Sequence, residues 1–170
     1  MNISNKIVLG TAQFGMDYGI ANVNGKPKHK EIFDILDLAW EKGIRRFDTA
    51  PDYGSDVLLG EFIKVNKLEN EVLVLTKISS LNNSADFQND AIKNLELSIK
   101  NLGCPINVLF FHDPRDSLLL FKKQGFFENL ISKYSISSLG VSVYDNKEVE
   151  QIESCEIDLA FQFPFNVLDR

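Results

Sequence analysis

Apolar positions fall along this chain in two alternating rhythms. Short continuous runs of strand length are separated by longer stretches in which apolar residues recur every three or four positions. The runs predict six strands, over residues 6–10, 46–48, 72–77, 106–112, 138–142 and 159–163. The stretches between them predict helices over about 28–42, 57–65, 87–102, 117–133 and 147–153. The first helix carries Ile32, Leu36, Ala39 and Trp40 along one face and stops at Gly43. The helix over 87–102 has Phe87, Ala91, Leu95, Ile99 and Leu102 at helical spacing and ends at Gly103. The segment 117–133 is expected to break at Gly125.

Strand and helix in strict alternation imply a parallel sheet covered by helices, either open and doubly wound or closed into a barrel. After the first strand comes Gly10-Thr11-Ala12-Gln13-Phe14-Gly15, which is not the Gly-x-Gly-x-x-Gly turn of an open dinucleotide-binding sheet. Polar residues end several different strands, and that favours a (β/α)8 TIM barrel, whose strands all aim their C-terminal ends at one face. A full barrel needs eight strand–helix units and about 250 residues. The 170 residues here supply six strands. The expectation is an α/β chain forming one domain over 1–170, a barrel truncated after strand six. Its first and sixth strands should expose unpaired edges, so it would self-associate or want a missing C-terminal portion.

Three of the predicted strands end in ionisable groups. The run Asn107-Val108-Leu109-Phe110-Phe111 leads into His112, Arg46-Phe47 leads into Asp48, and Val72-Leu73-Val74-Leu75-Thr76 leads into Lys77. Tyr53-Gly54 lies just past Asp48. On a barrel Asp48, Tyr53, Lys77 and His112 converge, and a carboxylate, an ammonium, a phenol and an imidazole together suit proton transfer to a carbonyl. Taken singly, each has a plainer role as a helix cap, a solvated strand end or a turn aromatic. His112 is the exception, because a ring ending a buried strand needs a polar partner. Tyr18, in a second Asp-Tyr-Gly turn, rivals Tyr53 but hangs on a long loop suited to substrate contact. His29 sits among lysines at a helix start and is expected to be solvated.

Bulk properties narrow the function. The chain is 44% apolar with a net charge of -6 and no basic stripe, which argues against a nucleic-acid surface. No apolar run is long enough to span a membrane, and no signal-peptide pattern precedes the first strand. Cys104 and Cys155 are isolated thiols, each before a predicted strand and away from the chemistry, so a reducing cytoplasmic location is expected. Two separated histidines and two distal cysteines give no metal-ligand spacing.

The strand-end motifs occur in a familiar order. Leu9-Gly10-Thr11 with Phe14-Gly15, Phe47-Asp48-Thr49-Ala50 with Tyr53-Gly54, Thr76-Lys77, Phe111-His112, Gly140-Val141-Ser142, and Gln162 with Pro164-Phe165-Asn166 and Leu168-Asp169-Arg170 together resemble the aldo-keto reductase superfamily. The loop Asp17-Tyr18-Gly19-Ile20-Ala21-Asn22 resembles the branch often encoded with bacterial surface-sugar synthesis genes. The resemblance implies NADPH-dependent reduction of an aldehyde or ketone, sugar-derived in that branch, with the small-molecule carbonyl as the partner. It assigns Asp48, Tyr53, Lys77 and His112 to catalysis. It assigns Gly10, Thr11, Asp48, Ser142 and Gln162 to the cofactor, with Ser142 and Gln162 on the nicotinamide amide. Val143 departs from the family pattern, which has Asn there.

The chemistry expected of such a set begins with Tyr53. A free phenol has a pKa of about 10, and a neighbouring ammonium favours phenolate, so Lys77 is expected to lower Tyr53 while Asp48 keeps Lys77 charged. A neutral His112 is expected to donate an N–H to the substrate oxygen. Two other readings compete. Lys77 could form a Schiff base, as in barrel aldolases, which would leave the Gly-Thr, Asp-Thr-Ala and Gln162 pieces unexplained. Alternatively, the chain could be a non-catalytic partial barrel that acts through association.

Overall fold

Every connection from one strand to the next passes through helix, and the sheet order follows the sequence without a crossover. The computed structural model describes residues 3–20, 22–82, 84–153 and 158–165. Its six strands are β1 (Val8–Gly10), β2 (Arg46–Asp48), β3 (Leu73–Ile78), β4 (Ile106–Phe111), β5 (Ser138–Ser142) and β6 (Leu159–Gln162). They form one sheet in the order β1-β2-β3-β4-β5-β6, and all neighbours are parallel. This is the order of a barrel wall, whereas a doubly wound sheet would reverse direction at its centre. Among the described residues β1 pairs only with β2, and β6 only with β5.

The helices are α1 (Ala12–Gly15), α2 (His29–Glu41), α3 (Asp56–Asn66), α4 (Phe87–Leu102), α5 (Leu118–Lys133) and α6 (Asn146–Glu153). Gly43 at φ 83° and Gly103 at φ 66° take up the left-handed turns that end α2 and α4. Ile32 and Leu36 of α2, Leu59, Phe62 and Ile63 of α3, and Ala91, Leu95 and Leu102 of α4 are fully buried. They pack with Phe47, Val74 and Leu109 of the strands into one continuous core. Phe111 of β4 meets Phe127 of α5 edge to face, with centroids 5.1 Å apart. No helix among the described residues is long and apolar enough to cross a membrane.

Most strand and helix ends lie within a residue or two of the sequence expectation, and three features depart from it in kind. The first strand starts later, because Ile3–Lys6 forms a 3₁₀ turn closed by Ile7 N–H donating to the Ser4 carbonyl at 3.2 Å. The helix over 118–133 runs through Gly125; its kink lies at Lys123, where φ −140° and ψ 33° leave helical space. The short helix α1 was not expected. Cys104 is buried just before β4, as anticipated, and Cys155 lies outside the described residues.

Candidate active site

The strand register carries the polar side chains to one end of the sheet. Gly10 aligns with Asp48, Asp48 with Leu75, and Ser142 with Gln162, so Lys77 projects two residues beyond the Asp48 level. There Lys77 Nζ donates to both oxygens of Asp48 at 2.7 Å each and to the Thr49 carbonyl at 3.3 Å. Lys77 is 3% exposed and Asp48 8%. Burial holds the Lys77 ammonium below the ordinary lysine range, and the adjoining Asp48 carboxylate opposes that shift.

Tyr53 closes the 3₁₀ turn Pro51–Tyr53, which follows β2 after two extended residues. Its N–H donates to Ala50 at 3.1 Å, and Gly54 at φ 69° reverses the chain into α3. Gly15 of α1 presses on this turn: a Cβ there would lie 1.7 Å from the Tyr53 carbonyl oxygen, so only glycine fits. Lys77 Nζ sits 5.1 Å from the centre of the Tyr53 ring, and the His112 ring stands perpendicular to it with centroids 5.7 Å apart. Burial, then the Asp48 charge, pushes the Tyr53 phenol well above its ordinary value. This reverses the expected direction. The ammonium meets the face of the ring, whereas an N–H donated to the phenolic oxygen would have stabilised phenolate.

His112 lies one residue beyond β4, its N–H donating to the Ile78 carbonyl at 3.2 Å. Its Nδ1 is 3.2 Å from Asp52 Oδ2, and Asp52 Oδ1 accepts from Ser79 Oγ at 2.6 Å. The polar partner this ring needs is therefore Asp52. Neither Asp52 nor Ser79 stood out in the sequence; the signal available was a second carboxylate beside Tyr53 in the same turn.

The residues assigned to the cofactor divide. Ser142 Oγ donates to Gln162 Oε1 at 3.3 Å, and Gln162 Nε2 donates to Asp48 Oδ2 at 3.0 Å, linking both to the ion pair. Gly10 lies on the cavity wall, where a Cβ would meet nothing within 4 Å. Thr11 is fully buried, donating through Oγ1 to the Asp48 carbonyl at 2.9 Å and sharing a 2.8 Å hydrogen bond with Ser55. It braces the end of β2 from below.

Gly10, Tyr18, Asp48, Tyr53, Lys77, His112, Ser142 and Gln162 all line one cavity of about 290 Å³. Tyr18 is 58% exposed at its rim and makes no hydrogen bond to Lys77 or Asp48 among the described residues. A second cavity of about 380 Å³ shares His112 and Tyr144 with the first and is bordered by Asp52, Ser80, Asp113, Arg115 and Glu148. Arg115 hydrogen-bonds Asp113 and holds its carboxyl below the usual carboxylate range.

Comparison with known proteins bears on the family and the fold. Over 78 residues the chain is 38% identical to a D-threo-aldose 1-dehydrogenase of Pseudomonas, a stretch covering 42% of this chain and 23% of that protein. The fold matches a structure assigned as an aldo-keto reductase of Pseudomonas aeruginosa with a TM-score of 0.73 at 23% identity, covering 96% of this chain and 63% of that one. It also matches an aldo-keto reductase complexed with NADPH, with a TM-score of 0.70 at 19% identity, covering 94% of this chain and 51% of that one. The chain thus spans less than two thirds of the length of these relatives. The sequence profile of the Aldo/keto reductase family matches residues 6–170, and the chain belongs to that family.

Proposed function

We propose that this chain carries the catalytic face of an NADPH-linked oxidoreductase that interconverts an aldehyde or ketone, sugar-derived, with its alcohol. The observation that supports it most is the convergence of Tyr53, His112 and the buried Asp48–Lys77 pair on one cavity. In reduction the carbonyl carbon gains a hydride and the oxygen gains a proton. Tyr53 is the donor within the cavity; an ordinary phenol is already protonated at neutral pH, and the upward shift preserves that state. Lys77, fixed by Asp48, stands 5.1 Å from the Tyr53 ring centre and keeps a positive charge beside the donor. His112 borders the same cavity and faces the reacting oxygen.

The cavity wall suits a nicotinamide cofactor. Ser142 and Gln162 offer a hydroxyl and an amide side by side, complementary to a carboxamide, and the bare Gly10 leaves room for a close approach. NADPH, when bound, supplies the hydride. The sugar-derived substrate is supported by the likeness to D-threo-aldose 1-dehydrogenase. A buried, unbridged Cys104 fits a reducing cytoplasm. The aldolase reading is weakened by Lys77 itself, which is 3% exposed with its ammonium held by both Asp48 oxygens, unlike a free nucleophilic amine.

Tyr53→Phe tests the reading. In whatever assembly is active, NADPH-dependent reduction of a nitrobenzaldehyde should fall at least about 10²-fold, with circular dichroism unchanged. Undiminished turnover would remove Tyr53 from the role and promote Tyr18.

A further inference from the structure

His112 lines both cavities, as Tyr144 does, so what it presents there depends on where its proton sits. Its Nδ1 faces Asp52 Oδ2 at 3.2 Å. A carboxylate accepts hydrogen bonds and cannot donate, so the hydrogen of this contact belongs to Nδ1. In the neutral ring Nε2 then carries a lone pair and no hydrogen. An unconstrained histidine side chain in water prefers the opposite tautomer. The other groups around the ring do not compete for it. Asp113 is taken up by Arg115, Ser80 and Asn82, and Glu148 accepts from the Tyr144 and Asp145 backbone amides. Tyr53 offers only its ring at 5.7 Å. Asp52 is itself held, since Ser79 Oγ donates to its second oxygen at 2.6 Å.

We propose that Asp52, held by Ser79, is a positioning residue that fixes the proton of neutral His112 on Nδ1. The ring then meets substrate oxygen as a hydrogen-bond acceptor. This deepens the proposed function and rests on it in one respect, that His112 faces the reacting oxygen. An Nε2 lone pair matches a hydroxyl, so the neutral site recognises the reduced partner, an alcohol or a cyclic hemiacetal. A carbonyl oxygen is itself an acceptor and finds a donor at Nε2 only in the imidazolium. Asp52 and Tyr53 are adjacent in sequence, so the residue that sets the histidine proton and the proton donor share one turn.

Nitrogen NMR of protein labelled with ¹⁵N-histidine reads the tautomer directly. The chain has 2 histidines, and His29→Gln assigns the other signal. In its neutral form, wild-type His112 should show a protonated Nδ1 and an unprotonated Nε2. In Asp52→Ala the proton should move to Nε2. Ser79→Ala, which keeps the carboxylate but frees it, should give a mixture. A wild-type ring protonated on Nε2 overturns the proposal, and so does an Asp52→Ala ring that stays protonated on Nδ1. If Asp52→Ala does not fold, the wild-type and Ser79→Ala spectra still decide it. The readout is independent of turnover, so failure of the oxidoreductase reading and failure of this one are separable.

Discussion

Removing Asp48 should cost this protein several kcal/mol of stability, about the cost of leaving a buried charge unpaired. Asp48→Ala deletes two 2.7 Å hydrogen bonds from Lys77 and the 3.0 Å bond from Gln162. It leaves a 3% exposed ammonium with only the Thr49 carbonyl at 3.3 Å. Breaking a buried pair by removing one partner costs about 3–5 kcal/mol. With a urea dependence of about 2 kcal/mol per molar, the midpoint should fall by about 2 M. Both influences that raise the Lys77 pKa come from Asp48, so the variant leaves burial alone to lower it further from 10.5. Between that depressed value and 10.5 the unfolded chain binds the proton that the folded chain has lost, so stability rises with pH across this window. The deficit of Asp48→Ala should therefore narrow as pH rises toward 10.5, until Tyr53 begins to act in the opposite sense. Urea unfolding followed by circular dichroism measures both effects. The double variant Asp48→Ala/Lys77→Met removes both charges and should recover most of the loss. A double variant no more stable than Asp48→Ala would refute the ion pair as the origin of the cost.

Two further outcomes follow from close packing and burial. Gly15→Ala places a Cβ 1.7 Å from the Tyr53 carbonyl oxygen, so the turn bearing Tyr53 must move. A displacement of about 1 Å can cost about 10²-fold in rate, and the aldehyde assay should record that loss with the fold retained. Burial pushes the Cys104 thiol up to about 11. In a Cys155→Ser background at about pH 8, iodoacetamide should label native Cys104 about a hundredfold more slowly than a free thiol, as followed by mass spectrometry.

Much of this architecture was legible in the sequence for a geometric reason. Apolar runs locate parallel strands, and parallel strands that share one sheet must share one C-terminal end, so Asp48, Lys77 and His112 had to converge. Glycines at 43 and 103 mark helix ends because their backbone is left-handed. What escaped lies below the scale of periodicity or across long separations. The helix Ala12–Gly15 has 4 residues, too few to display a repeat. Gln162 meets Asp48 across 114 residues, and Asp52 meets His112 across 60. The direction of the Tyr53 shift was misjudged because the sequence places Lys77 near the phenol without saying which part of it the ammonium touches. Contact with the ring face leaves burial and Asp48 in command.

The segment from Asp48 to Gly54 then holds two carboxylates with separate tasks, and the backbone between them explains how. Ser55 Oγ joins the Thr11 and Thr49 hydroxyls at 2.8 and 3.0 Å, pinning the end of β2 to the start of α1. The Thr11 and Thr49 amides bond to the Asp48 and Leu75 carbonyls at 2.9 Å each, which fixes the strand end against both neighbours. Gly15 limits the turn from the other side. With the main chain held at both ends, Pro51 sends Asp52 outward to Ser79 and His112 while Asp48 stays beneath the sheet end with Lys77. One carboxylate is buried and carries stability; the other is half exposed and decides a proton position. Tyr53 stands between them. Both aspartates act on it through charge, Asp48 more strongly, and Asp52 also through His112, so variants at the two should separate in folding measurements even where both slow turnover.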